Sequence, residues 1–226
     1  MIGVMLIATG GAHYTCYVPQ LSESLREFFP PHETVLFTSE EVSRTDVITI
    51  PVEDLVWPRA TLMRYHTFVK NQDVLSRYSH LFYLDIDMCV KTPIVESEIC
   101  GEGITAVIHP GFAGTPSKPY CRDRRSTAFI EGNKEYYQGC FQGGSTHAYL
   151  DMCKILSRNI DADDANGVAT EWYDESYLNR YLFDAPPVIE LPPTFAYPEH
   201  PEPYPCLRNK EPRIMHIEKS GQETWK

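Results

Sequence analysis

"LFYLDIDMCV", residues 81–90, runs four apolar residues into two aspartates separated by one isoleucine. A strand alternates its side chains with period 2. That predicts Asp85 and Asp87 on one face, about 7 Å apart along the strand, with Ile86 turned away. Like charges so placed repel each other unless a cation or a set of donors stands between them. In open α/β sheets ligands gather at the carboxyl ends of the strands, where these two acids would lie. Paired hard-oxygen ligands suit Mn²⁺ or Mg²⁺, ions that commonly keep a phosphate oxygen as a further ligand. Against this stands the plainer account, in which one aspartate caps a loop and the other is a solvated charge, since a lone D-x-D is common by chance.

The neighbouring segments fit a sheet of that kind. "IGVMLIAT" (2–9) reads as a buried strand turned by Gly10–Gly11, with Thr9–Gly11 at its carboxyl end. A helix is predicted over 17–28, where Val18, Leu21, Leu25 and Phe28 recur at helical spacing. "ETVLFT" (33–38) and "DVITIPV" (46–52) read as strands, 61–77 as one helix, and "ITAVIH" (104–109) as a further strand. Strands alternating with helices in the first half predict an α/β sandwich with a largely parallel sheet. Helices are expected over 145–158 and 174–183. The stretch 186–212 carries nine of the chain's 18 prolines and is expected to be an extended loop wrapping one domain of 1–226.

Composition bounds the function. The 226 residues carry 20 Lys and Arg against 31 Asp and Glu, a formal net charge of −11. That balance argues against nucleic acid and anionic membranes as partners. No apolar run approaches the roughly 20 residues of a membrane span. Seven cysteines, odd in number and without a C-x-x-C pair, read as reduced thiols with no zinc site. With no basic leader before the first strand, a soluble cytoplasmic protein is expected.

Three further stretches carry candidate chemistry. In "EWYDESYLNRYL" (171–182), Asp174 is predicted as the N-cap and Glu175 falls in the first turn. The helix dipole would keep Glu175 ionised near neutrality, suited to facing positive charge; mere dipole decoration is the alternative. "YYQGCFQGGS" (136–145) implies close backbone approach, to a ligand or within a tight turn. "CRDRRS" (121–126) gathers three arginines that would hold phosphate or, more simply, pin a loop by ion pairs.

Taken together these segments resemble glycosyltransferase family 6, the group of the histo-blood-group A and B transferases and the α-1,3-galactosyltransferases. The resemblance is carried by "WPRATLMRYH" (57–66), "LDIDM" (84–88), "HPGFAG" (109–114), "RRSTAFI" (124–130), "YYQGCFQGGS" and "DDANGVATEWYDESYLNRYL" (163–182), in family order over nearly the whole chain. It implies a GT-A fold and retaining α-1,3 transfer of galactose or N-acetylgalactosamine from a UDP-sugar to an acceptor glycan. By the same resemblance Ala8, Thr9, Tyr14 and Arg64 match the donor pocket. Asp85 and Asp87 match the metal ligands, with Mn²⁺ the usual ion. Glu175 matches the carboxylate set against the anomeric carbon, and Asp174 a partner of the donor sugar. His109 and Trp172 match the acceptor side, and Lys219 a diphosphate contact in the tail. Gln138, Gly139 and Cys140 occupy the stretch that selects the donor sugar, and Tyr173 stands where the mammalian pattern has histidine. With no membrane anchor or stem in view, the resemblance is to a soluble bacterial or viral member. A fold-sharing protein that binds sugar nucleotide without turnover and a metal-dependent phosphoesterase are the competing readings.

Overall fold

The computed structural model describes residues 1–217, without the side chains of residues 12 and 13. Its frame is a seven-stranded sheet. The strands in chain order are β1 (Ile2–Ala8), β2 (His32–Thr38), β3 (Val47–Pro51), β4 (His80–Leu84), β6 (Ile104–Ile108), β7 (Tyr137–Ser145) and β8 (Ile189–Leu191). Across the sheet the order is β3-β2-β1-β4-β7-β6-β8. Pairs β3–β2, β2–β1, β1–β4 and β6–β8 are parallel, whereas β7 runs antiparallel to both β4 and β6. A two-stranded ribbon pairs β5 (Met88–Val90) with β9 (Ile214–His216).

Period-2 alternation builds a core on each face. From β1, Ile2, Val4, Leu6 and Ala8 meet Val18, Leu21 and Leu25 of helix α2 (Val18–Phe28), which follows the short α1 (Ala12–Thr15). Met5 points the other way and joins Leu81 and Tyr83 of β4. There they pack against Tyr65 and Phe68 of α4 (Arg64–Lys70), Tyr149 of α7 (Thr146–Ala165) and Leu178 of α8 (Tyr173–Asp184). The sheet is therefore covered on both sides, the largely parallel α/β sandwich expected from the strand pattern, and antiparallel β7 makes it mixed.

Three local expectations change. The single helix over 61–77 is three short ones: α3 (Arg59–Leu62), α4 and α5 (Gln72–Leu75), broken where Met63 and Asn71 leave helical geometry. Asn71 Nδ2 donates to the Thr67 carbonyl at 2.8 Å, the local side-chain competition that ends helices. "YYQGCFQGGS" is a central strand, and two of its glycines serve neighbouring strands. A Cβ on Gly143 would lie 2.3 Å from the Leu81 carbonyl oxygen, and on Gly144, at φ +145°, 2.0 Å from that of Gly103. The proline-rich stretch is more than a loop, since it contributes β8 and two 3-10 turns that bury Phe195, Ala196 and Leu207. A last short helix, α6 (Glu96–Ile99), leads into β6. The arginines of 122–125 do pin a loop: Arg125 pairs with Asp123 at 2.6 Å, Arg124 with Glu131 at 3.0 Å, and Arg122 donates to the Ile130 carbonyl.

Candidate active site

The carboxyl ends of β1 and β4, the first half of β7 and the start of α8 converge on a cleft of about 540 Å³. Strand β4 stops at Leu84 rather than running through both aspartates; residues 86 and 87 turn towards β5. Asp85 still extends the strand's ladder, its N–H donating to the Cys140 carbonyl at 2.9 Å. Asp85, Ile86 and Asp87 all line the cleft, and Ile86 also packs into the α2-side core. Both acids thus reach one cleft, but through a turn rather than through the strand alternation expected.

Arg64, at the start of α4, organises the centre. The residue is 5% exposed, and its guanidinium lies 3.2 Å from Asp174 and 3.6 Å from Asp85. It also donates to the Gly139 carbonyl at 3.0 Å and stacks over the Tyr83 ring at 4.4 Å. Burial opposes its charge, but Asp174 and Asp85 more than compensate and hold it protonated.

Asp174 does not cap α8 as expected. Trp172 occupies that place, because helical pairing already begins at Tyr173, a residue held at φ +46°. Asp174 instead turns inward to Arg64, only 3% exposed, and its Oδ2 makes no hydrogen bond of ordinary geometry despite the close ion pair. Burial raises its pKa to about 6, with Arg64 opposing and Asp85 adding to the rise. Glu175 sits one residue on. Its Oε2 accepts from the Gly139 N–H at 2.9 Å, yet burial, aided by the charge of Asp174, lifts it to about 7. Burial thus opposes the expected dipole effect: about 0.3–1 kcal/mol from a helix end is smaller than the cost of desolvation, so the carboxyl is only partly ionised near neutrality. Protein crowds this carboxyl, and its remaining open surface faces the cleft.

Thr9, Tyr14, Arg64, Asp85, Asp87, Gln138, Cys140, Trp172, Asp174 and Glu175 all line this cleft. Ala8 is buried beneath it at the end of β1. His109 is not among the lining residues: it packs on Phe112 and Tyr136 and accepts from the Gly111 N–H. Burial, with His216 adding, lowers its pKa to about 4, so it is neutral at physiological pH. Lys219 lies outside the described residues. Gln138 Oε1 is buried without a hydrogen bond, and Gln138 Nε2 lies 3.5 Å from His216 Nε2.

The geometry adds residues that motif reading passed over. Trp57, 51% exposed, meets the Tyr173 ring edge-on at 5.1 Å across the cleft rim. Tyr136 places a buried hydroxyl beside Glu175. Tyr83 donates to Asp85 Oδ1 at 2.6 Å, and its place two residues before Asp85 in an apolar run was the signal that could have found it. Among the described residues no three or more His, Cys, Asp or Glu side chains cluster as a closed metal site. Two carboxylates opening on a roomy polar cleft nevertheless fit an ion such as Mn²⁺ or Mg²⁺, which fills its other positions with water and phosphate oxygen.

With this frame in place, the model of the family described as Glycosyltransferase family 6 matches residues 2–222. The chain belongs to that family, and it is a glycosyltransferase with a GT-A-like fold. It is 30% identical to the O-antigen biosynthesis glycosyltransferase WbnI of Escherichia coli over 80% of this chain and 76% of that protein. It is likewise 30% identical to the globoside alpha-1,3-N-acetylgalactosaminyltransferase 1 of Mus musculus, over 88% of this chain and 61% of that one. The histo-blood group ABO system transferase 2 of Rattus norvegicus matches at 30% over 63% of this chain and 43% of its own length. No helix among the described residues is long and apolar enough to cross a membrane.

Proposed function

We propose that residues 1–226 form one catalytic domain that moves galactose or N-acetylgalactosamine from a UDP-sugar to the 3-hydroxyl of an acceptor glycan. The new bond is α, the donor's anomeric configuration is retained, and a divalent ion, Mn²⁺ or Mg²⁺, assists. One observation carries the reading. Two carboxylate pairs, Asp85 with Asp87 and Asp174 with Glu175, open on one cleft, with the buried Arg64 within 3.6 Å of a member of each. Names of the relatives support the sugar and the linkage, being an alpha-1,3-N-acetylgalactosaminyltransferase and an ABO system transferase.

Asp85 and Asp87 would hold the ion, which when bound supplies positive charge beside the departing diphosphate. The chain's own residues account for the rest. Thr9 and Tyr14, at the carboxyl end of β1, receive the nucleotide. Asp174, which lines the cleft and is ion-paired with Arg64, would accept from a sugar hydroxyl. Gly139 fixes Glu175, which as an anion faces the anomeric carbon as it becomes electron-poor. The bond from that carbon to the diphosphate is exchanged for one to the acceptor oxygen, and the hydroxyl's proton leaves with UDP. Gln138 and Cys140 shape the donor-sugar side. Trp172, and His109 behind Tyr136, shape the acceptor side. By family resemblance Lys219 serves the diphosphate.

Screening UDP-sugars for Mn²⁺-dependent UDP release, with and without acceptor glycans, tests this directly. Release that depends on the ion and on a galactose-type donor, with an α-1,3 product by NMR, is the expected result. Tight UDP-sugar binding with no release would instead favour a binding protein on the same fold.

A further inference from the structure

Asp85 is braced from its own strand. Tyr83 and Asp85 are two residues apart and share the face of β4 that looks towards α4 and α8. The phenol of Tyr83 donates to Asp85 Oδ1 at 2.6 Å, and Arg64 approaches the same oxygen at 3.6 Å. The guanidinium of Arg64 in turn lies over the Tyr83 ring, 4.4 Å from its centroid. One aromatic side chain, 4% exposed, thus engages the cleft carboxylate through its hydroxyl and the buried cation through its face.

We propose that Tyr83 is a positioning residue for cation binding: it ties down one oxygen of Asp85 so that the other is presented to the divalent ion. The proposal rests on the metal-assisted reading of the cleft. Its physical basis is rotamer freedom. Asp85 is 30% exposed in its side chain and follows the last residue of a strand, at the start of a turn, so without a brace its carboxylate would swing between Arg64 and solvent. Arg64 alone is a poor brace. At 3.6 Å its contact with Asp85 is longer than those it makes to Gly139 and Asp174. An oriented ligand binds its ion without first giving up that freedom, and removing such outer partners typically costs 10–100-fold in metal affinity. Because the same ring also supports Arg64, Tyr83 links the cation end of the cleft to Asp174 at the sugar end.

Tyr83→Phe keeps the ring under Arg64 and deletes only the hydroxyl. Manganese binding is read by electron paramagnetic resonance of free Mn²⁺, titrated into protein with UDP and no acceptor, so that turnover plays no part. The expected result is about 10-fold or greater weakening of Mn²⁺ binding. Tyr83→Met removes both hydroxyl and ring; it should weaken Mn²⁺ at least as much and also lower turnover at saturating ion, because Arg64 loses its support. Melting curves establish that each variant is folded, and Tyr83→Met provides the reading should Tyr83→Phe not fold. A parent that binds Mn²⁺ beside a folded variant that binds it equally well overturns the brace alone. A parent that binds no Mn²⁺ with UDP overturns the metal-assisted reading and the brace together.

Discussion

Burial lifts the Glu175 carboxyl to about 7, so near neutrality the free protein carries it partly protonated. A carboxyl whose folded pKa exceeds its unfolded value binds more protons when folded. Its contribution to stability is therefore lost as pH rises from the ordinary 4.5 through about 7. Glu175→Gln freezes the neutral form, and its melting temperature should gain on the parent's by a few degrees between pH 5 and pH 8. His109, whose lowered pKa works in the opposite direction, is present in both proteins and cancels. The same substitution should cut sugar transfer by at least 100-fold and leave UDP affinity near normal. A melting gap that is flat with pH would contradict the buried setting of this carboxyl. Gly139→Ala probes the cleft floor from the other side. A Cβ there meets Asp174 at 3.5 Å, Glu175 at 3.7 Å and Arg64 at 3.9 Å, ordinary contacts the fold accommodates. Its methyl would stand beside the two carboxylates, so a protein of near-parental stability with transfer down 10-fold or more is expected; unchanged turnover would place the sugar elsewhere. Of this residue-scale picture, the identities of Asp85, Asp87, Asp174 and Glu175 were legible as two short runs. The raised pKa values of Asp174 and Glu175 were not, because they depend on burial that only the assembled fold supplies. The Trp57–Tyr173 contact was equally hidden, since its partners are far apart in the chain.

At the level of elements, α8 must be held in register with β7 for Glu175 to reach Gly139. Asn179 does this. Its buried amide accepts from the Tyr137 N–H at 2.8 Å and donates to the Tyr137 carbonyl at 2.8 Å and to the Glu175 carbonyl at 2.9 Å. Asn179→Leu keeps the volume but orphans buried backbone groups, at a cost of about 2–4 kcal/mol by chemical denaturation. Transfer should fall further than the lost folded fraction explains; a variant that loses stability alone would confine Asn179 to the frame. Helix α8 was readable from Tyr177, Leu178, Tyr181 and Leu182. Strand β7 was not: its glycines mimic a turn, and only the flanking carbonyls of Leu81 and Gly103 show why they stand there. The break between α3 and α4 escaped the apolar pattern for a related reason, since hydrophobic spacing continues through Met63 while the backbone does not.

For the molecule as a whole, the expectation of an α/β sandwich held, because alternating apolar runs and helical faces dictate it. Lys219, matched to a diphosphate contact by family resemblance, lies outside the described residues. Chelation provides a test at this scale. Exhaustive EDTA treatment should abolish sugar transfer, and added Mn²⁺ should restore it, while circular dichroism stays unchanged because the cores on both faces of the sheet owe nothing to the ion. Activity that withstands chelation would remove the cation from the mechanism.

Strand β7 lies between β4 and β6, yet it is made after both, and it is the one strand of the sheet that runs opposite to the others. A nascent chain leaving the ribosome can therefore assemble β1 to β4 early but must wait for residues 137–145 to close the open side of β4. Until that insertion the half-built sheet offers an unpaired, sticky border to neighbouring chains. The polypeptide also has no floor for its sugar, so competence arrives late in synthesis, when the missing plank drops in.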